Sequence, residues 1–256
     1  MALKVYFLGT GTSQGIPIIG SNHPVCLSEN PKDKRLRSSI WVQWDEIDIV
    51  VDCGPDFRQQ MLISKCSKID ALLFTHEHAD HTAGLDDIRP FAFKVGALPV
   101  FSLARVLENL AKRFDYIFSN KNKYPGAPSV ITNVIDPNKP FIVASKAITP
   151  LLVTHYGLEV LGFRFGPFAY ITDMFSITDE EVEKLAGVEV LVVNALRIEP
   201  HPSHLHLDAA IAFTQKICAK RNYFTHISHH LGFHDEVQSL LPPNIHLAYD
   251  NLIITI

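Results

Sequence analysis

Three imidazoles and one carboxylate fall within six residues of Leu73-Phe74-Thr75-His76-Glu77-His78-Ala79-Asp80-His81-Thr82-Ala83-Gly84, directly after an apolar stretch. Side chains of these types ligate divalent cations, and their spacing predicts a metal site. At the end of a strand, residues two apart point the same way, so His76 and His78 can close on one cation. The chain then turns at Ala79, and Asp80 and His81 can reach a second cation. One short loop thus offers half the ligands of a two-metal centre. A histidine-rich surface loop is the bland alternative, but it would have to produce H-x-H-x-D-H by accident. Histidine and aspartate suit zinc and manganese alike, so the sequence leaves the metal open.

Such a loop needs strands to hold it. Strands are expected over 3–8, 38–44, 47–51, 71–74, 98–101, 148–153, 160–165, 168–171, 188–194, 223–225, 245–248 and 252–256. Helices are expected over 55–65, 102–113, from Thr178 with Glu181 as a capping-box partner, over 208–220 and over 236–241. Residues 9–31 read as a long loop punctuated by glycine and proline. Strands mixed with helices imply two sheets packed face to face with helices outside, an α/β arrangement in one domain over 1–256. Residues 114–138, rich in Asn, Lys, Pro and Gly, read as a lid or as a contact in a homodimer.

With 256 residues, 47% of them hydrophobic, the chain can bury a sizeable core. A net charge of -4 argues against a nucleic-acid partner, which would favour a basic excess. The apolar start is too short for a signal peptide, and no apolar run is long enough to span a membrane. Cys26, Cys53, Cys66 and Cys218 are scattered, which predicts a reducing, cytoplasmic home, with Cys53, Cys66 and Cys218 serving only to pack.

The segment His76-Glu77-His78-Ala79-Asp80-His81 resembles the H-x-H-x-D-H motif of the metallo-β-lactamase superfamily, which implies a four-layered αββα sandwich. His155 and Asp173, each directly after an apolar run, match the superfamily's later ligand positions. The resemblance implies that His155 completes the first site with His76 and His78, that Asp173 bridges two metals, and that His226 joins Asp80 and His81 at the second. Asp52 resembles the acidic position that orients the metal loop by accepting an N–H from a ligand histidine.

Four segments narrow the resemblance to the PhnP-type phosphodiesterases: Phe7 through Pro17, Ser203-His204-Leu205-His206-Leu207-Asp208, Thr225-His226-Ile227-Ser228-His229, and Ala248-Tyr249-Asp250-Asn251. That branch opens phosphoribosyl 1,2-cyclic phosphate, and the resemblance puts His204 where an imidazole protonates the leaving oxygen. Its C-x-C-x-x-C loop, with a late histidine, holds a structural zinc. Here Ser21, His23 and Cys26 stand at those positions, with His229 as the late histidine. His23, Cys26 and His229 are competent ligands for a third, structural zinc, whereas serine replaces thiolate poorly.

The expected activity is therefore a dinuclear metal-dependent hydrolase acting on a small phosphodiester. Arg58, Arg89 and Arg197 are candidates for gripping phosphate. A tRNA 3′-processing nuclease and a glyoxalase II-like thioesterase share the ligand set, but the first would need an extended basic arm. From another class, an iron-dependent oxidoreductase or a non-hydrolytic metal-binding protein remains a rival, separable by metal analysis and a visible spectrum.

Overall fold

The computed structural model describes residues 3–119 and 123–256; residues 1–2, and residues 120–122 of the 114–138 segment, lie outside the described residues. One sheet has the strand order Ile253–Thr255, Leu3–Gly9, Ser39–Trp44, Ile47–Val51, Ala71–Leu73, Leu98–Ser102 and Val130–Val134. The other runs Ser176–Ile177, Lys146–His155, Leu158–Phe165, Phe168–Tyr170, Val190–Asn194, Arg221–Thr225 and Ile245–Leu247, with Phe141–Val143 paired to Lys146–His155.

In both sheets the first three neighbouring pairs in this order are antiparallel and the last three are parallel. Local sequence explains the change of direction. Asp45-Glu46 and Tyr156-Gly157 are two-residue connections, short enough only for antiparallel neighbours. The parallel strands are instead separated by helices, among them Phe57–Ser64, Ala104–Arg113, Asp179–Glu183 and Leu207–Ile217.

Strand alternation builds the layers. Val190 and Val192 join the core shared by the two sheets, whereas Leu191 and Val193 face a second core with Ala210, Phe213 and Val237 of the covering helices. Trp44 packs edge-on against Phe165, with centroids 6.4 Å apart, and the Leu161 N–H donates to the Thr75 carbonyl at 3.0 Å, tying one sheet to the other. On the outer face of the first sheet, Phe57, Val106 and Leu110 are buried. Helix, sheet, sheet and helix therefore stack as the αββα metallo-β-lactamase fold. No helix among the described residues is long and apolar enough to cross a membrane.

Several expectations change. The 114–138 segment holds a short helix, Asp115–Phe118, and an edge strand, Val130–Val134, that completes the first sheet. Glu181 does not close its capping box: the Thr178 hydroxyl accepts from the Glu181 N–H, but the Glu181 carboxylate reaches across to the Leu152 N–H at 2.8 Å. Cys218 does not pack; it is exposed, in left-handed conformation at the end of Leu207–Ile217.

Candidate metal centre

The strand Ala71–Leu73 delivers the chain into His76-x-His78-x-Asp80-His81, and a short helix, Ala79–Thr82, turns Asp80 and His81 back towards it. Asp52, buried at the end of Ile47–Val51, anchors that loop from below. Its carboxylate accepts from the Thr75 N–H at 2.9 Å and the Thr75 hydroxyl, and lies 2.7 Å from His81 Nδ1. With Nδ1 held by Asp52, His81 turns Nε2 to within 3.1 Å of Asp80 Oδ2 and 3.2 Å of Asp173 Oδ2.

The second sheet supplies the opposite wall. His155 ends its long strand with Nδ1 at 2.8 Å from the Ser203 carbonyl, which leaves Nε2 free. Asp173 follows Phe168–Tyr170, with Thr172 donating to its Oδ2 at 2.8 Å, and His226 follows Arg221–Thr225. His226 Nε2 stands 3.2 Å from Asp173 Oδ1 and 3.8 Å from Asp80 Oδ2. The rings of His76 and His78 are 4.4 Å apart, and the His155 ring lies 5.9 and 5.4 Å from them. All seven residues read from the sequence as ligands thus meet between the sheets, and two of them, Asp173 and His226, do so with positive φ, as does Asp52 beneath them, a conformation uncommon outside glycine.

The donor set fits divalent cations. Ligand atoms about 3.0–3.4 Å apart are what metal–ligand bonds near 2.0–2.1 Å require. The buried Nε2 atoms of His76, His81 and His226 have no hydrogen-bond partner, a cost a protein seldom leaves uncompensated. Protonation also suits. Burial and the neighbouring His81 push His76 well below the ordinary imidazole range, and burial lowers His78. Burial opposes the charge on Asp173, but His226 and His81 outweigh it and hold the carboxyl well below its usual value. Neutral imidazoles and ionised carboxylates are the forms that bind metal. Burial opposes a charge on His81, but Asp80, Asp173 and Asp52 outweigh it and hold the ring well above the ordinary imidazole range, so a cation would bind there by displacing the Nε2 proton.

His204 enters the same space. Its Nδ1 lies 3.7 Å from Asp173 Oδ1 and lacks a hydrogen-bond partner, and its ring is 4.4 Å from His155 and 4.9 Å from His226. Burial, and then His226, pull its pKa down to about 3, so its own surroundings keep the ring neutral rather than near the titration range of a free imidazole.

Other expected residues fall elsewhere. His23 is 4.7 Å from His229 and 5.6 Å from His230 between ring centroids, so a third imidazole joins this cluster. Cys26 is buried with Ile16 and Val25, and the groups of three closely placed ligand atoms among the described residues all belong to the main site. The Ser21 hydroxyl accepts from the His23 N–H at 3.2 Å. Arg58 and Arg89 line a depression with Met61, Leu62 and Phe91, and Arg89 is forked onto Asp86. Arg197 shares the 197–206 loop with His204 and donates to the carbonyls of Glu199 and Pro200.

Sequence reasoning missed the groups that hold the candidate ligands. Glu77, between two of them, pairs with Arg105, while Arg113 donates to the Glu77 carbonyl at 3.0 Å and to Thr82 at 2.8 Å. Asn194 clasps Met174 N–H and C=O, pinning the turn after Asp173. A signal was present: Thr75-His76, Thr154-His155, Thr172-Asp173 and Thr225-His226 repeat threonine before a ligand candidate at four strand ends.

Comparison with known proteins agrees with this geometry. Residues 48–227 match the model of the beta-lactamase superfamily domain. A crystal structure of a diphosphatase from the PhnP family superposes with a TM-score of 0.93 at 40% identity, covering 100% of this chain and 98% of that one. The chain belongs to the metallo-β-lactamase superfamily and, within it, to the PhnP family. Among curated relatives, an octanoyltransferase of Porphyromonas gingivalis is 40% identical over 252 residues, 98% of this chain but 51% of that protein. A ribonuclease Z of Clostridioides difficile is 24% identical over 146 residues, 55% of this chain and 47% of that protein. The chain thus spans about half the length of these two relatives.

Proposed function

We propose that this chain is a metal-dependent hydrolase of a small phosphoester, a phosphodiester or a diphosphate, working with two divalent cations, zinc or manganese. The observation that carries the reading is the convergence of His76, His78 and His155 on one side, and Asp80, His81 and His226 on the other, about Asp173. Asp173 presents Oδ2 to His81 and Oδ1 to His226, as a shared ligand would. Bound divalent cations supply a nucleophile from water at neutral pH and neutralise charge on phosphoryl oxygens. The likeness to a PhnP-family diphosphatase over both full lengths supports phosphoester chemistry.

In this reading His204 faces the reacting phosphorus beside Asp173 and passes a proton, or a hydrogen bond, to the departing oxygen. Its surroundings alone keep it neutral, so the negative charge of bound substrate is what raises its proton affinity. His81 is locked by Asp52 and His155 by the Ser203 carbonyl, so neither ring turns during turnover. His23 and His229, with Cys26 nearby in sequence, remain the candidate structural zinc ligands, and His230, whose ring lies beside both histidines, is a further candidate. Four free cysteines suit the cytoplasm. The octanoyltransferase name belongs to a protein about half of which has no counterpart in this chain.

The test is a side-by-side assay of the metal-loaded protein on bis-p-nitrophenyl phosphate, phosphoribosyl 1,2-cyclic phosphate, 2′,3′-cyclic nucleotides, a diphosphate ester, a tRNA precursor and a glutathione thioester. Turnover of a small phosphoester, abolished in a folded Asp173→Ala variant, is expected. Processing of the tRNA precursor alone would move the assignment to the nuclease, and cleavage of the thioester alone would end it.

A further inference from the structure

Beside the candidate metal centre lies a depression of about 400 Å³ whose walls are His78, His155, Tyr156, Leu158, Pro202 and Ser203. Two of these are ligand candidates, and no arginine, lysine or carboxylate is among them. An organic group attached to a phosphate held at the centre has this space to enter. A second phosphate would find no cation in it.

Tyr156 is the residue that local rules do not explain. It occupies the first position of the two-residue turn joining Lys146–His155 to Leu158–Phe165, where His155 pairs with Leu158. Tyr156 has φ of 46° and Gly157 of 80°, so both are left-handed, the geometry for which Asn-Gly or Asp-Gly is favoured. A bulky aromatic there is an outlier, and it buries little in return, being 77% exposed. Conformational cost carried at a position with no packing role, next to a ligand candidate and on the rim of a depression, points to a part in binding.

We infer that Tyr156, with Leu158 and Pro202, forms an aromatic and apolar subsite that stacks a planar ring ester-linked to the phosphate, so that the substrate is an aryl- or nucleobase-bearing phosphoester. Tyr156 is then a specificity residue outside the ligand set. This rests on the proposed phosphoester activity, and it selects among its substrates.

Binding of phenylphosphonate and methylphosphonate to the metal-loaded protein, measured by calorimetry, tests it. Both carry the group that the centre holds, and only one carries a ring. The wild type is expected to bind phenylphosphonate about five- to tenfold more tightly, the scale of an aromatic stack. Tyr156→Asn should erase that preference, leave methylphosphonate affinity unchanged and raise the melting temperature by ~2 °C, because asparagine suits the turn. Tyr156→Phe should keep the preference. A preference retained in Tyr156→Asn, or absent from the wild type, would overturn the subsite while leaving phosphoester hydrolysis standing. Failure of both phosphonates to bind, with no turnover of any phosphoester, would remove the underlying activity and the subsite with it.

Discussion

At His204 the question is how much of the rate depends on one proton. The side chain is buried, faces Asp173 and is not tied to any other hydrogen-bonding group through Nδ1, so it is free to serve the leaving oxygen. His204→Ala should slow a substrate with an alkoxide leaving group by roughly a hundredfold, the scale of general acid catalysis, and slow nitrophenyl esters far less. Equal losses on both substrates would show a positioning role instead. A second histidine makes a prediction about stability. His234 is buried, and its Nδ1 accepts from Arg35 at 3.0 Å. Burial first, then the guanidinium, lowers its pKa from 6.5 to about 4. Since the unfolded chain binds this proton more readily than the folded one, stability is full above pH 6.5 and is lost as pH falls towards 4, by up to about 3 kcal/mol. His234→Gln keeps an acceptor and cannot titrate, so urea unfolding between pH 4 and 6.5 should show a flatter profile than the wild type.

The elements that carry the candidate ligands are held by close backbone approach. A Cβ on Gly54 would lie 2.0 Å from the Asp80 carbonyl oxygen, and one on Gly84 would lie 2.1 Å from the Gly54 carbonyl oxygen. The metal loop therefore sits on the 52–54 turn with no room for a methyl group. Gly84→Ala should cost about 1–3 kcal/mol in urea unfolding and lower the metal bound per chain, because relief requires moving Asp80 or Asp52. Full metal content with unchanged stability would contradict that account. The same elements set the limit of what could be read in advance. Strands buried on both faces, such as Ala71–Leu73, are continuous apolar runs and were legible. The ligand candidates were read from the H-x-H-x-D-H spacing and from positions just after such runs, and the structure brings them together. Val130–Val134 was not, because as an edge strand it leaves Ile131 and Val134 exposed amid polar, proline-rich neighbours. The helix Arg89–Val95 hid for a related reason: Pro90 opens it, and Phe93 and Val95 face solvent, so it has no apolar period. Contacts such as Arg113 with Glu77 join residues 36 positions apart through tertiary structure alone.

Across the whole molecule, the two sheets repeat one plan without repeating sequence, and equivalent places do different work. Asp52 follows the first strand of the parallel half of one sheet, Asp173 the first strand of the parallel half of the other, and both have positive φ. One turns inward to orient His81; the other reaches into the space between His81 and His226. His76, His78, Asp80 and His81 come from the first half, and His155, Asp173 and His226 from the second, so cations bound here would join the sheets like a staple. Their loss would leave the half-buried Asp80 and the buried Asp173 facing each other with only imidazoles between. A ligand that binds only the folded chain stabilises it by about 2.7 kcal/mol at a hundredfold excess over its dissociation constant, equivalent to about 5–10 °C for a chain of this size. Chelation should therefore lower the melting temperature by that amount, and added zinc or manganese should restore it. In His155→Ala, which removes a ligand contributed by the second half, the shift should shrink while the metal-free melting temperature changes little. A wild-type protein stripped of metal, as verified by elemental analysis, that melts at the same temperature as the loaded one would mean that the two halves hold together without help from the site between them.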